Sequence, residues 1–157
     1  MIQRGREAPS SLSVLLFQSK GLHFLLPNAA VGEVIAYHPP EPLRKDVPWL
    51  LGNLDWREQL VPAISLSSAA TGQPVKGIPK QACFAICFSP NGNLDLPYFA
   101  ILADAVPRLM NLEPSSMQSA PAPAKRNPFA LHYLTDGTQI IMIPNLDAVE
   151  QALLSVQ

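Results

Sequence analysis

Residues 47–66, Val47-Pro-Trp-Leu-Leu-Gly-Asn-Leu-Asp-Trp-Arg-Glu-Gln-Leu-Val-Pro-Ala-Ile-Ser-Leu66, commit the chain to β structure more firmly than any other stretch. They read as two strands, about Trp49 to Trp56 and Leu60 to Leu66, joined by a polar turn of Arg57, Glu58 and Gln59. The second strand alternates, with Leu60, Pro62, Ile64 and Leu66 on one side and Val61, Ala63 and Ser65 on the other. One cation, Arg57, therefore sits at the tip of an apolar hairpin. It is either a solvated turn residue or a side chain folded back, through its planar five-donor fork, onto loop carbonyls or a carboxylate.

At 157 residues the chain makes one domain, or two small lobes sharing a core, and it buries enough surface to need no staples. Hydrophobic residues make up 48% and charged residues 15%, which argues against disorder and leaves apolar surface over for a partner. With a net charge of −1 and only scattered basic pairs, there is no footprint for nucleic acid. No apolar run approaches the roughly 20 residues that span a bilayer, and Val14-Leu-Leu-Phe17 is too short for a signal-type core. These features predict a cytoplasmic protein without direct membrane insertion.

Taken in order, residues 1–11 read as a flexible tail. Strands follow at Ser13 to Gln18 and Leu22 to Leu26, around Ser19-Lys20-Gly21. Asn28 is placed to cap a short inner helix, Ala29 to Ile35, whose stripe is Val31, Val34 and Ile35 and whose Glu33 points to water or a partner. A loop rich in proline and charge spans 37–48, and a second loop, 67–80, follows the hairpin. Residues 81–88 form an apolar strand with Ala82, Phe84, Ile86 and Phe88 on one face. Asn91-Gly92 signals a turn, and Tyr98 to Val106 returns. Arg108 to Leu112 is a short helical or extended piece, and Ala120-Pro-Ala-Pro-Ala124 a stiff linker. Phe129 to Leu134 and Gln139 to Ile143 form a last pair of strands. Asn145 caps a final helix with the stripe Leu146, Val149, Leu153 and Leu154. Many short strands with little helix predict a mainly β protein built from small barrels.

Catalytic patterns are missing. There is no nucleophile elbow, and the eight glycines are dispersed rather than gathered into a phosphate-binding loop. His23, His38 and His132 lie on different elements with no partner at helical spacing, so no metal site is expected. Cys83 and Cys87 read as small buried hydrophobes. A thiolate nucleophile working with His132 would be costly among Phe84, Ile86 and Phe88. No catalytic residue and no cofactor are expected.

The hairpin resembles the CheW-like adaptor family of bacterial chemosensory arrays, whose pattern reads approximately G-x-x-N-L-R-G-x-x-x-P-V-x-D-L. Gly52, Arg57, Pro62 and Leu66 match it, with Trp56 and Ala63 as apolar substitutes. Pro27 to Val34 resembles the family's earlier P-x-x-x-V-x-E-V/I motif, Ala103-Asp104-Ala105-Val106 its V-D-x-V strand end, and Phe129 to Leu154 its closing strands and helix. The departures are Glu58 for the glycine after the arginine, Ser65 for the aspartate ending the second strand, and Pro144 or Asn145 for a closing aspartate. They suggest a divergent branch, of the type IV pilus-linked (twitching) systems.

The resemblance implies a single CheW-like domain over residues 12–155. Its fold would be two five-stranded SH3-like barrels packed together as interleaved lobes, with a short inner helix and a C-terminal helix. It further implies a non-enzymatic adaptor at receptor arrays on the inner face of the membrane. The partners would be the cytoplasmic tip of methyl-accepting chemoreceptors and a CheA-like histidine kinase, with weak self-association. Val31, Glu33, Arg57 and Glu58 are the partner-binding residues carried over, and Gly52 and Pro62 the structural turn. Two rivals stand beside it: a CheW-fold docking protein that no longer couples receptor to kinase, and a small cysteine-dependent enzyme.

Overall fold

Leu12–Ser19 (β1) and Leu22–Pro27 (β2) alternate apolar side chains and pair antiparallel across Lys20-Gly21, both at positive φ. The structure, a computed structural model, describes residues 12–43 and 46–156. The expected tail at 1–11 lies outside the described residues.

A 3-10 turn at Asn28–Ala30 leads into Val31–Ala36 (β3). The hairpin follows as Leu50–Trp56 (β4) and Gln59–Ile64 (β5), then a short helix, Leu66–Thr71 (α1). Cys83–Phe88 (β6), Tyr98–Ala103 (β7) and Arg108–Leu112 (β8) come next, followed by the two-residue Gln118–Ser119 (β9). Ala130–Thr135 (β10), Ile140–Pro144 (β11) and the helix Leu146–Ser155 (α2) complete the order.

Two sheets result. The middle of the chain builds a five-stranded sheet, β3-β6-β7-β5-β4. The strands before and after it build the other, β8-β1-β2-β11-β10-β9, which has five full strands and the two-residue β9 at its edge. Each sheet contains one parallel joint, β5 with β7 and β11 with β2. The fold is mainly β, as two packed sheets with two short helices. The five-stranded sheet closes on itself where Glu41 and Asn53 exchange backbone hydrogen bonds of 2.8 Å in each direction.

Alternation divides the apolar residues between two cores. Cys83, Ala85, Cys87, Phe99 and Ile101 turn toward the other sheet, where they join Phe17, Phe24, Leu26, Tyr133, Met142 and the α2 residues Val149 and Leu153. Phe84, Ile86, Ala100, Leu102, Leu54 and Val61 turn inward and fill the barrel. A third cluster of Val14, Leu25 and Ile141 lines the far face of the six-stranded sheet.

The sheets are also tied by polar contacts. Asp104 accepts from the Lys20 backbone N–H at 2.8 Å and donates its own N–H to the Gln18 carbonyl at 2.8 Å. The Lys20 ammonium donates to the carbonyls of Lys76 and Gly77. Asp104 in the V-D-x-V-like stretch thus locks the β1–β2 tip of one sheet to the strand end of the other.

One predicted element is corrected. Residues 29–35 are not a helix: only Asn28–Ala30 turns, and Val31–Ala36 is a strand against β6. The register shifts between Val31 and Glu33, so Gly32 is an extra, bulged residue. Val31 pairs with Cys87 and Val34 with Ala85, both on the shared-core face. The bulge therefore puts two same-face residues three positions apart, which imitates helical spacing. The inner helix forms instead as α1, inside the stretch read as a loop. Ser65 caps it by accepting from the Ser68 N–H at 3.1 Å, and Gly72 ends it at φ 73°.

A candidate docking site at the end of the five-stranded barrel

The hairpin turn consists of Arg57 and Glu58 alone, at φ 48° and 62°. Two successive positive values match the right-handed twist of the strands, the type I′ solution, here made by two residues that carry side chains. Leu60 lies opposite Asp55 on the outer face and is 67% exposed.

Trp56 points to the barrel's inner face and packs edge-on against Tyr98, with ring centroids 5.0 Å apart. Tyr98 in turn meets Phe88 at 5.7 Å. Phe88 is itself 47% exposed, and its ring lies over Gly32, where a Cβ would approach it to 3.2 Å. The aromatic residues thus stop the end of the barrel.

Glu33 sits on the same inner face, because the Gly32 bulge places it opposite Ile86 rather than on the side of Val31. One oxygen, Oε1, accepts from the Trp56 indole Nε1–H at 2.9 Å and from the Arg57 guanidinium at 3.2 Å. The Arg57 guanidinium carbon also lies 4.8 Å from the centre of the Trp56 ring. β3 and β4 are the two edge strands of the sheet, so this cluster clasps its edges together at the hairpin tip, beyond the Glu41–Asn53 bridge along β4. Arg57 remains 68% exposed and Glu33 40% exposed. The cluster is fixed on its inner side and open on its outer side.

Of the open alternatives for Arg57, the structure selects the carboxylate, and the carboxylate is Glu33, not the adjacent Glu58. Glu33, Arg57 and Glu58 come together at this end, and Val31 lies partly buried against the shared core two residues away. Gly52 has φ 132°, and a Cβ there would fall 2.0 Å from the Glu41 carbonyl oxygen. Only glycine permits the bridge that closes the barrel. Pro62 is buried opposite Asn53 in the same hairpin. Sequence reasoning passed over Trp56, Tyr98 and Phe88 as members of the site. The signal available was an indole next to the arginine, whose N–H needs an acceptor once the ring is packed inside.

Cys83 and Cys87 are buried. Burial, aided by the Asp104 carboxylate, pushes the Cys83 thiol up to about 11, and burial alone pushes Cys87 up to about 12. Neither is a thiolate nucleophile at neutral pH. His132 is bonded to the Ser119 hydroxyl at 3.0 Å on the six-stranded sheet. Among the described residues no group of three or more His, Cys, Asp or Glu could hold a metal ion, and no helix is long and apolar enough to cross a membrane.

The profile of the CheW-like domain matches residues 13–153, nearly the whole chain. The chain belongs to the CheW-like domain family. This family of scaffold proteins has a solved relative in the scaffolding protein TtCheW from Thermoanaerobacter tengcongensis, whose fold this chain shares. The two superpose with a TM-score of 0.70 at 16% sequence identity, over 91% of this chain and 90% of that one. None of the curated proteins matches the chain.

Within a CheW-like chain two of the three departures lose their weight. Ser65 caps α1, and Asn145 caps α2 by accepting from the Ala148 N–H at 3.0 Å. Serine, asparagine and aspartate are nearly equivalent in that role, so the capping chemistry is kept. Glu58 is the departure that changes the surface.

Proposed function

We propose that this protein is a non-enzymatic coupling scaffold of a bacterial chemosensory system, joining methyl-accepting chemoreceptors to a CheA-like histidine kinase. The observation that carries this reading is the Glu33–Trp56–Arg57 cluster. A carboxylate fixed from inside leaves a half-free guanidinium and the edge of Phe88 facing out at the end of a barrel in a CheW-like chain. A polar anchor beside exposed aromatic surface is the anatomy of a protein-binding patch. Val31, Glu33, Arg57 and Glu58 are its proposed contact residues.

The test is co-sedimentation of the purified protein with a receptor cytoplasmic fragment and the kinase. The wild-type chain is expected to join both, and Arg57→Ala to lose about tenfold in affinity while staying folded. Failure of the wild-type chain to bind either partner overturns the reading.

Glu58 favours a second reading, a docking protein that no longer couples receptor to kinase. It puts an exposed carboxylate beside Arg57 where the family has glycine. Binding to one partner alone, with Glu58→Gly restoring the other, would select it. Assignment to the pilus-linked branch now rests mainly on Glu58. A twitching assay on a strain lacking the protein tests it, and unchanged twitching removes it.

A further inference from the structure

The loop between β6 and β7 carries the chain's one Asn-Gly pair, Asn91-Gly92. Every other asparagine precedes alanine, leucine or proline. The Asn91 amide Nδ2 donates to Asp147 Oδ1 at 2.7 Å and to both oxygens of Glu150 at 3.4 Å, and its backbone N–H donates to Glu150 Oε1 at 3.3 Å. Glu150 is 1% exposed, and Asn91 supplies the hydrogen bonds the structure records for it. A neutral donor thus sits between two carboxylates of α2 and pins the loop to the helix. Asn91 and Gly92 face solvent, and a Cβ at Gly92 would meet nothing within 4 Å.

We propose that Asn91-Gly92 is a spontaneous deamidation site whose conversion detaches the 89–97 loop from α2. The Gly92 backbone nitrogen, after losing its proton to solvent base, attacks Asn91 Cγ. The Cγ–Nδ2 bond breaks and ammonia leaves with a proton from water. Water then opens the resulting succinimide at either carbonyl, giving aspartate or isoaspartate. One water is consumed, one ammonia is released, and no oxidant or reductant takes part. The lack of a side chain on Gly92 removes steric hindrance at its nitrogen, whose N–H makes a long hydrogen bond of 3.4 Å to the Ser89 carbonyl that must open before the attack, whereas leucine hinders the attack after Asn93 and Asn111. The product replaces a donor with a third carboxylate against Asp147 and Glu150. Like charges at hydrogen-bond distance repel, most strongly beside a buried group. The consequence reaches the docking end, because the same loop connects Phe88 to Tyr98. The chemistry does not depend on which partner docks there.

The experiment ages the full chain in warm, mildly alkaline buffer, maps its peptides and follows amide exchange. Asn91 is expected to convert well before Asn93 and Asn111, with an isoaspartate fraction. Amide exchange through 89–97 is expected to quicken about tenfold in the aged protein and in Asn91→Asp. Asn91→Ala, which removes the donor without adding charge, should quicken it less, and Asn91→Asp with Glu150→Gln should recover most of the loss. Conversion of Asn91 no faster than Asn93 overturns the site. Equal exchange in Asn91→Ala and Asn91→Asp overturns the charge mechanism.

Discussion

Arg57 earns its position through what holds it: a carboxylate from the opposite edge strand and an indole face beneath. An ion pair this exposed adds little to stability, within about 1 kcal/mol, so Arg57→Ala should melt close to the wild-type chain even where binding fails. Glu33 carries more, because it accepts the hydrogen bond of the Trp56 indole N–H inside the barrel end. Glu33→Ala should cost about 1–2 kcal/mol in a denaturant titration, and Glu33→Gln, which keeps the acceptor and removes the charge, clearly less. The cysteines give a sharper residue-scale test. Native protein at neutral to mildly alkaline pH should leave a thiol reagent unreacted until denaturant is added. Their pKa values are raised on folding, so the folded state binds the protons more tightly. The stability they contribute is complete below about pH 9 and is lost as pH climbs toward 11 and 12, by up to about 1.4 kcal/mol per unit for each thiol. A pH-independent midpoint across that range would contradict the assignment.

The hairpin and its bulges carry the element-scale argument. Arg57 and Glu58 both hold positive φ with side chains attached, which stores backbone strain. Glu58→Gly should therefore raise stability by about 0.5–1 kcal/mol, seen as a higher thermal midpoint. Gly52→Ala should do the reverse and cost about 2–4 kcal/mol, because a methyl group cannot share space with the Glu41 carbonyl. Faster hydrogen exchange at Asn53 would identify the opened bridge as the cause. The bulge at Gly32 explains why an element of the right sequence took the wrong form on reading. Val31, Val34 and Ile35 have helical spacing, but β-branched residues beside an apolar strand gain more from pairing than a two-turn helix could supply. The short helix at Leu66–Thr71 escaped notice because its composition is that of a loop, and its cap works through Ser65 at the end of a strand.

At the scale of the whole molecule, the first and last strands make one sheet, the middle strands make the other, and both face a shared core. Phe99 and Ile101 from one sheet lie with Phe24 and Met142 from the other, so neither sheet can open without exposing its partner. The chain should unfold as one cooperative unit, and its two tryptophans can check this. Trp49 packs edge-on against Phe129 in the shared core, and Trp56 packs against Tyr98 at the hairpin end of the five-stranded barrel. Coincident transitions for single-tryptophan variants are expected, and separated midpoints would show independent lobes. Phe99→Ala should lower both together, at a cost of about 3–5 kcal/mol.

The amino-acid order by itself determined the β character, the hairpin around Arg57, the caps at Asn145 and the buried cysteines, because alternation, turn residues and capping side chains act over a few positions. It also carried the family resemblance, since the glycine, arginine and proline of the hairpin are local requirements. Only the tertiary structure decided that Glu33 and Trp56 are the partners of Arg57. Those residues lie on opposite edges of one sheet, and a single bulged glycine sets which face Glu33 takes. A shift of one residue reverses every side chain beyond it, and nothing within the local sequence reports whether the partner strand imposes that shift.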